Sequence, residues 1–190
     1  MAPKPKITAD MIVNAAVEVI RRDGFEALTA RSAAKELGCS TQPLLYYFDS
    51  IEAIRTAAYE QTDEIHSRYI LPKEDDPSPL LTLGMNYIRF AQEEKNLFRF
   101  LFQSGQFAGM DMKQLFDHPQ YQELLKVLTS ASGLSLKQAK ESFEILFITV
   151  HGYAGLLANN AMDYEEEHCR KILTSLYRNL FGSGKGGNHA

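Results

Sequence analysis

The chain has 190 residues, of which 45% are hydrophobic and 23% charged, enough apolar material for one or two domains with a buried core. No apolar run reaches the ~18 residues of a membrane helix, the first residues lack the apolar stretch of a secretory leader, and Cys39 and Cys169 are too few and too scattered for a disulfide framework or a zinc site. The net charge of −4 is unevenly spread: residues 1–48 hold six basic and five acidic side chains, residues 49–190 hold 14 and 19.

Residues 1–6 combine Pro3 and Pro5 with Lys4 and Lys6 and read as an arm, either a solvated tail or a basic segment that touches phosphates. A first helix is expected over 8–22. Thr8 suits its N-cap, and Asp10 complements the positive end of its dipole. Ile12, Ala15, Ala16, Val19 and Ile20 follow helical spacing and make one face. Gly24 stops it. Phe25 and Leu28 anchor a link to a second helix, which Thr29 should cap and which carries Ala33, Ala34 and Leu37. The next three residues, Gly38-Cys39-Ser40, form a turn whose glycine tolerates positive φ.

A third helix over 41–48 should follow, capped by Ser40 or Thr41. Leu44 and Phe48 lie four apart and point inward with Cys39; Thr41, Gln42, Leu45 and Tyr46 point outward. Two short helices joined by a glycine turn make the helix-turn-helix pattern. Gln can pair with an adenine edge, Thr with a base, and Tyr with a phosphate. A three-helix packing module whose surface carries tyrosine fits the same residues. Asp49-Ser50-Ile51-Glu52 has capping-box spacing and opens a fourth helix running to about residue 70. Residues 72–79 are a polar, proline-rich loop.

The body, 80–181, reads as some five helices: 80–94, 96–107, 120–130 with Pro119 in its first turn, 136–159 and 165–181. The helix over 136–159 is apolar nearly all round, which requires burial on two sides. Ala139, Phe143, Leu146, Phe147, Val150, Ala154 and Leu157 make one stripe. Ile145, Ile148, Gly152 and Gly155 extend small or apolar surface to another side. No Gly-rich phosphate loop, nucleophile elbow or metal-spaced His or Cys set occurs, so neither an enzyme, a metal site nor a cofactor is expected.

Residues 7–55 resemble the DNA-binding domain of the tetracycline-repressor (TetR) family. The residues that carry the likeness are the first-helix face, Asp23-Gly24-Phe25, Leu28-Thr29, Ala33-Ala34, Leu37-Gly38, Ser40, Leu44, Tyr47-Phe48, Ser50 and Glu52. The resemblance implies an all-α fold of about nine helices. Its parts would be a three-helix helix-turn-helix domain over 1–55, a helical effector-binding and dimerisation domain over 56–181, and a disordered tail over 182–190. It implies double-stranded DNA contacts from Thr29, Arg31, Ser40, Thr41, Gln42, Pro43, Leu45, Tyr46, Tyr47 and Ile51. The chain departs from the family pattern at Leu45, where Tyr is usual, and at Ile51, where Lys is usual; both family residues contact phosphate. Gln42 stands in place of a frequent Gly, which makes it a candidate specificity residue.

The same resemblance implies a homodimer on a palindromic operator, paired through the last two helices with Phe143, Val150, Ala154, Leu157, Leu173, Leu176, Tyr177 and Leu180 at the seam. It implies a small apolar or aromatic effector in the body, where Tyr87, Phe90, Phe98, Phe102, Phe107, Tyr121, Phe147 and His151 are the candidate lining. The implied protein is a cytoplasmic, nucleoid-associated bacterial repressor released by its ligand. A DNA-binding regulator without effector, and a protein-interaction module on the same fold, remain as alternatives.

Overall fold

The computed structural model describes residues 7–105, 114 and 119–182. Among them nine α-helices and no strand occur: α1 (Ala9–Asp23), α2 (Ala30–Glu36), α3 (Gln42–Tyr47), α4 (Ile51–Ile70), α5 (Pro79–Glu93), α6 (Lys95–Gln103), α7 (Pro119–Ser132), α8 (Leu136–Ala158) and α9 (Glu166–Phe181). A single 3₁₀ turn, Phe25–Ala27, links α1 to α2. The described part of the expected tail is Gly182 alone. No helix among the described residues is long and apolar enough to cross a membrane.

The chain divides into two compact units, one drawn from Met1–Tyr69 and Phe90–Phe107, the other from Ile70–Arg89 and Ala108–Ala190. Helix α5 therefore contributes residues to both.

In the first unit α1 is the central strut. Thr8 Oγ1 accepts from the Met11 N–H, as its cap position predicts. Ile12, Ala16, Val19 and Ile20 are fully buried. Gly24, at φ +89°, ends the helix in a backbone region that L side chains rarely adopt. Helix α6 packs on α1 and buries Leu97, Phe98, Phe100 and Leu101. Polar ties reinforce that contact: Asn96 Nδ2 donates to the Arg21 carbonyl (3.0 Å), and Arg21 Nε to Glu94 (3.0 Å). The Phe100 ring lies against Phe25 (6.2 Å) and Tyr59 (5.8 Å). Helix α4 turns Ile54, Ala58, Thr62 and His66 inward, one per turn. Its cap is Ser50, whose Oγ accepts from the Ala53 N–H at 3.1 Å, one residue later than the Asp49 cap that the sequence spacing suggests.

In the second unit α7 and α9 both pack on α8. Ser135 and Gln138 cap α8 reciprocally. Gly84 on α5 lies so close that a Cβ there would stand 3.2 Å from Leu173 Cδ1 and 3.8 Å from Val150 Cγ2. Arg89 and Arg170 each donate to Glu166 Oε1 at 3.1 Å, which holds the Glu166 carboxyl below its usual value, Arg170 contributing most.

The seam residues expected from the sequence occupy this core. Phe143, Val150, Ala154, Leu157 and Leu173 are buried within the single chain, and Leu176, Tyr177 and Leu180 are half-buried. A side chain already covered by its own chain has little surface to offer a second copy. The exposed large apolar residues on these helices are instead Leu136, Ile145, Ile148 and Leu156 on α8 and Ile172 on α9. A Cβ added at Gly152 or Gly155 on α8 would meet nothing within 4 Å.

Candidate nucleic-acid interface

Helix α2 is fixed locally at both ends. Ser32 N–H donates to Thr29 Oγ1 (3.0 Å) and Thr29 N–H donates to Ser32 Oγ (2.9 Å), a reciprocal cap. The Ser32 hydroxyl also donates to the Ala27 carbonyl (2.8 Å), tying the cap to the 3₁₀ turn. At the other end Cys39 N–H donates to Ala34 O (3.0 Å) and Gly38 N–H to Lys35 O (3.1 Å), with Gly38 at φ +64°. This is a Schellman closure, and it needs the glycine at that place. The turn expected from Gly38-Cys39-Ser40 is therefore present with a defined geometry.

Helix α3 has only six residues, with proline in its first turn. Neither expected cap operates through its side chain: Thr41 occupies the cap position in a helical conformation and makes no side-chain capping bond. The helix is anchored by Leu44, which is fully buried, with Phe48 and Cys39 half-buried beside it in the sequence-predicted inward set. Its outward face carries Thr41, Gln42, Leu45 and Tyr46, all exposed; Leu45 is 61% and Tyr46 82% accessible. Thr29, Arg31 and Ser40 are exposed as well, and Pro43 and Ile51 are half-buried.

Tyr47 is engaged within the chain. Its hydroxyl donates to the Ile7 carbonyl oxygen at 2.9 Å, and its ring meets Tyr46 edge-on at 5.0 Å. The local charge is also partly committed. Arg22 donates to Asp23 and to Glu36 (2.9 Å), and Asp23 above all holds its guanidinium above the usual value. Arg31 and Lys35 on α2 are exposed cations of this surface. Sequence reasoning missed the Arg55–Leu28 tie. Arg55 Nη2 reaches the Leu28 carbonyl (3.4 Å), connecting α4 to the residue before the α2 cap.

The candidate effector residues fall into two groups. Phe90, Phe98 and Phe102 pack in the first unit, where the His66 ring lies 4.9 Å from Phe90 and 5.5 Å from Phe102. Phe90 and Phe98 are fully buried. Tyr87, Phe147 and His151 meet in the second unit: Tyr87 Oη and His151 Nδ1 share a hydrogen bond of 2.8 Å, and the Phe147 ring stacks on His151 at 5.5 Å. Burial lowers the pKa of His151 below its usual value, so its ring is neutral at pH 7. Phe107 and the Tyr121 side chain lie outside the described residues. No group of three or more His, Cys, Asp and Glu arranged to hold a metal occurs among the described residues.

Residues 12–58 match the sequence profile of bacterial regulatory proteins of the tetR family. Over these residues the chain is similar to the tetR family. A stretch of 45 residues is 44% identical to the HTH-type transcriptional repressor DrrR1 of Streptomyces coeruleorubidus. That stretch is 24% of this chain and spans 17% of the relative's length. The fold of a TetR variant from Acinetobacter baumannii AYE, solved in complex with minocycline, superposes with a TM-score of 0.61 over 97% of this chain and all of that one. At 17% identity this likeness speaks to the fold alone.

Proposed function

We propose that this protein is a transcriptional regulator of the tetR type that binds a palindromic operator as a homodimer and is released from it by a small-molecule effector. The observation that carries the reading is the exposed face of α3: Thr41, Gln42, Leu45 and Tyr46 project from a helix whose opposite side is fixed by Leu44. Such a helix fits a major groove, with Gln42 suited to a bidentate adenine contact. The named repressor among its relatives supports repression as the direction of control. A dimer would place two copies of α3 roughly 34–36 Å apart, or a multiple of that. The exposed Ile145, Ile148, Leu156 and Ile172 give that dimer an apolar face. The Tyr87–His151 pair beside Phe147 supplies the mixed polar and aromatic lining that small-molecule sites use. The location expected for such a protein is the bacterial cytoplasm, on the nucleoid.

Selection of bound sequences from random duplex DNA, followed by anisotropy across a salt series, tests this. The expected result is one enriched palindrome, bound by a dimer with a steep salt slope. Absence of enrichment by folded, dimeric protein would overturn it. With the operator in hand, an effector should weaken DNA binding about 5–150-fold, the usual range of allosteric coupling.

A further inference from the structure

Among the described residues of the first unit, the large apolar or aromatic side chains exposed to solvent are Leu45, Tyr46 and Tyr47, and all of them lie on the short helix α3. No residue of α3 carries a charge. The helix therefore adds nothing to the charge neutralisation that draws a protein to duplex DNA; what it can add is recognition at the base edges. Both tyrosines have a hydroxyl, and that of Tyr47 is bonded to Ile7. Leu45 has no polar side-chain atom, is 61% exposed, and is not the anchor of the helix, which is the fully buried Leu44. Gln42 precedes Leu45 by three positions on the same outward face. Their Cβ atoms are therefore neighbours, about 5–6 Å apart.

We infer that Leu45 is a specificity-determining residue that reads thymine. Its side chain rests against the C5-methyl group in the major groove, at or next to the base pair whose adenine Gln42 bonds. This rests on the DNA-binding reading above and names the base chemistry that α3 selects. An aliphatic side chain has no donor for a phosphate oxygen and no partner among the hydrogen-bonding groups of the bases. The thymine methyl is the apolar group that the major groove displays, and the minor groove offers no counterpart. Three residues of helix rise by about 4.5 Å, close to the ~3.4 Å step between base pairs. Gln42 and Leu45 therefore reach the same pair or adjacent ones. The two side chains recognise one kind of pair by its two signatures, the hydrogen-bonding edge of adenine and the methyl of thymine. A half-site read in this way is rich in A·T pairs under α3.

The experiment takes the selected operator duplex and replaces its thymines one at a time by deoxyuridine, which keeps the pairing groups and lacks only the C5-methyl. Anisotropy gives the affinity of the full chain and of its Leu45→Ala variant for each duplex. The parent arm needs no change in the protein. There, one thymine in each half-site should be sensitive. Loss of its methyl should weaken binding about fourfold, the worth of one buried methyl group, and about 15-fold when both half-sites are changed. Leu45→Ala should weaken binding to the unmodified duplex at least as much. In that variant the same deoxyuridine should alter affinity less than about twofold, because its partner is gone. The salt slope should be the same in both proteins, since an apolar contact releases no counterion. Leu45 is exposed, and a thermal midpoint within a few degrees of the parent confirms that the variant folds. A parent indifferent to every thymine methyl would overturn the inference, and so would a methyl effect of equal size in parent and variant. A shallower salt slope in Leu45→Ala would overturn it in favour of a contact to the DNA backbone. Failure of the parent to bind any selected duplex would sink the regulator reading itself, a result distinct from binding that ignores the methyl groups.

Discussion

Helices α2 and α3 are neighbours in sequence and similar in length, yet they are held in place by different means. Helix α2 starts with a reciprocal Thr29–Ser32 cap and ends in a Schellman closure through Gly38. Its boundaries are set by bonds within a few residues. Helix α3 has no side-chain cap and only six residues, too few to sustain a helix alone. It stands because Leu44 is buried and because Tyr47 is bonded to Ile7, forty positions away. The difference has a functional side. A helix fixed from behind leaves Thr41 and Gln42 without structural duties, and those are the residues available to a ligand.

The largest expected effect comes from removing the anchor of α3. Leu44→Ala should cost about 2–5 kcal/mol of stability, the range for a fully buried leucine. Chemical denaturation measures it, and a loss below about 1 kcal/mol would mean that α3 is held by something other than Leu44. Next is Gln42→Ala. Stability should stay within about 0.5 kcal/mol, as at an exposed site, while discrimination at one base pair of the operator falls by about 1–3 kcal/mol. Competition between single-base operator variants reads this, and a uniform loss across all of them would remove Gln42 from base recognition. The smallest pair of effects is the sharpest test of the contrast. Thr29→Ala should cost about 1 kcal/mol for loss of its cap, whereas Thr41→Ala should be nearly neutral. Thermal melts of the two variants side by side would break the comparison if both lost the same amount.

Much of the first unit was legible because its signals are local. Thr8, Thr29, Gly24 and Gly38 act within four residues of themselves, and each performs the expected role in the structure. Where a local signal had a close competitor the reading slipped by one place: Ser50 caps α4 although Asp49 precedes it. The face of α8 was less legible. A helix that is apolar nearly all round does not say which stripe its own chain covers, and the stripe containing Phe143, Val150 and Leu157 proved to be internal. The aromatic set was divided for a related reason. Tyr87 and Phe90 are three residues apart on one helix, but they belong to different units, and periodicity carries no information about that boundary. His66 escaped notice altogether. Its signal was the run Ile54, Ala58, Thr62, His66 at spacing four, which marks a buried face that includes two polar residues.

The open space above Gly152 and Gly155 has a consequence for how this protein could change over generations. For the chain alone, alanine at either position would fill nothing and would favour the helix by about 0.5–1 kcal/mol. If two copies of α8 meet along the Ile145 and Ile148 side, the same methyl groups would hold the backbones apart. Thermal robustness of the single chain and fidelity of pairing would then pull on the same two codons in opposite directions. Laboratory evolution that rewards heat resistance alone would be drawn to them early, and would yield proteins that survive well and regulate poorly.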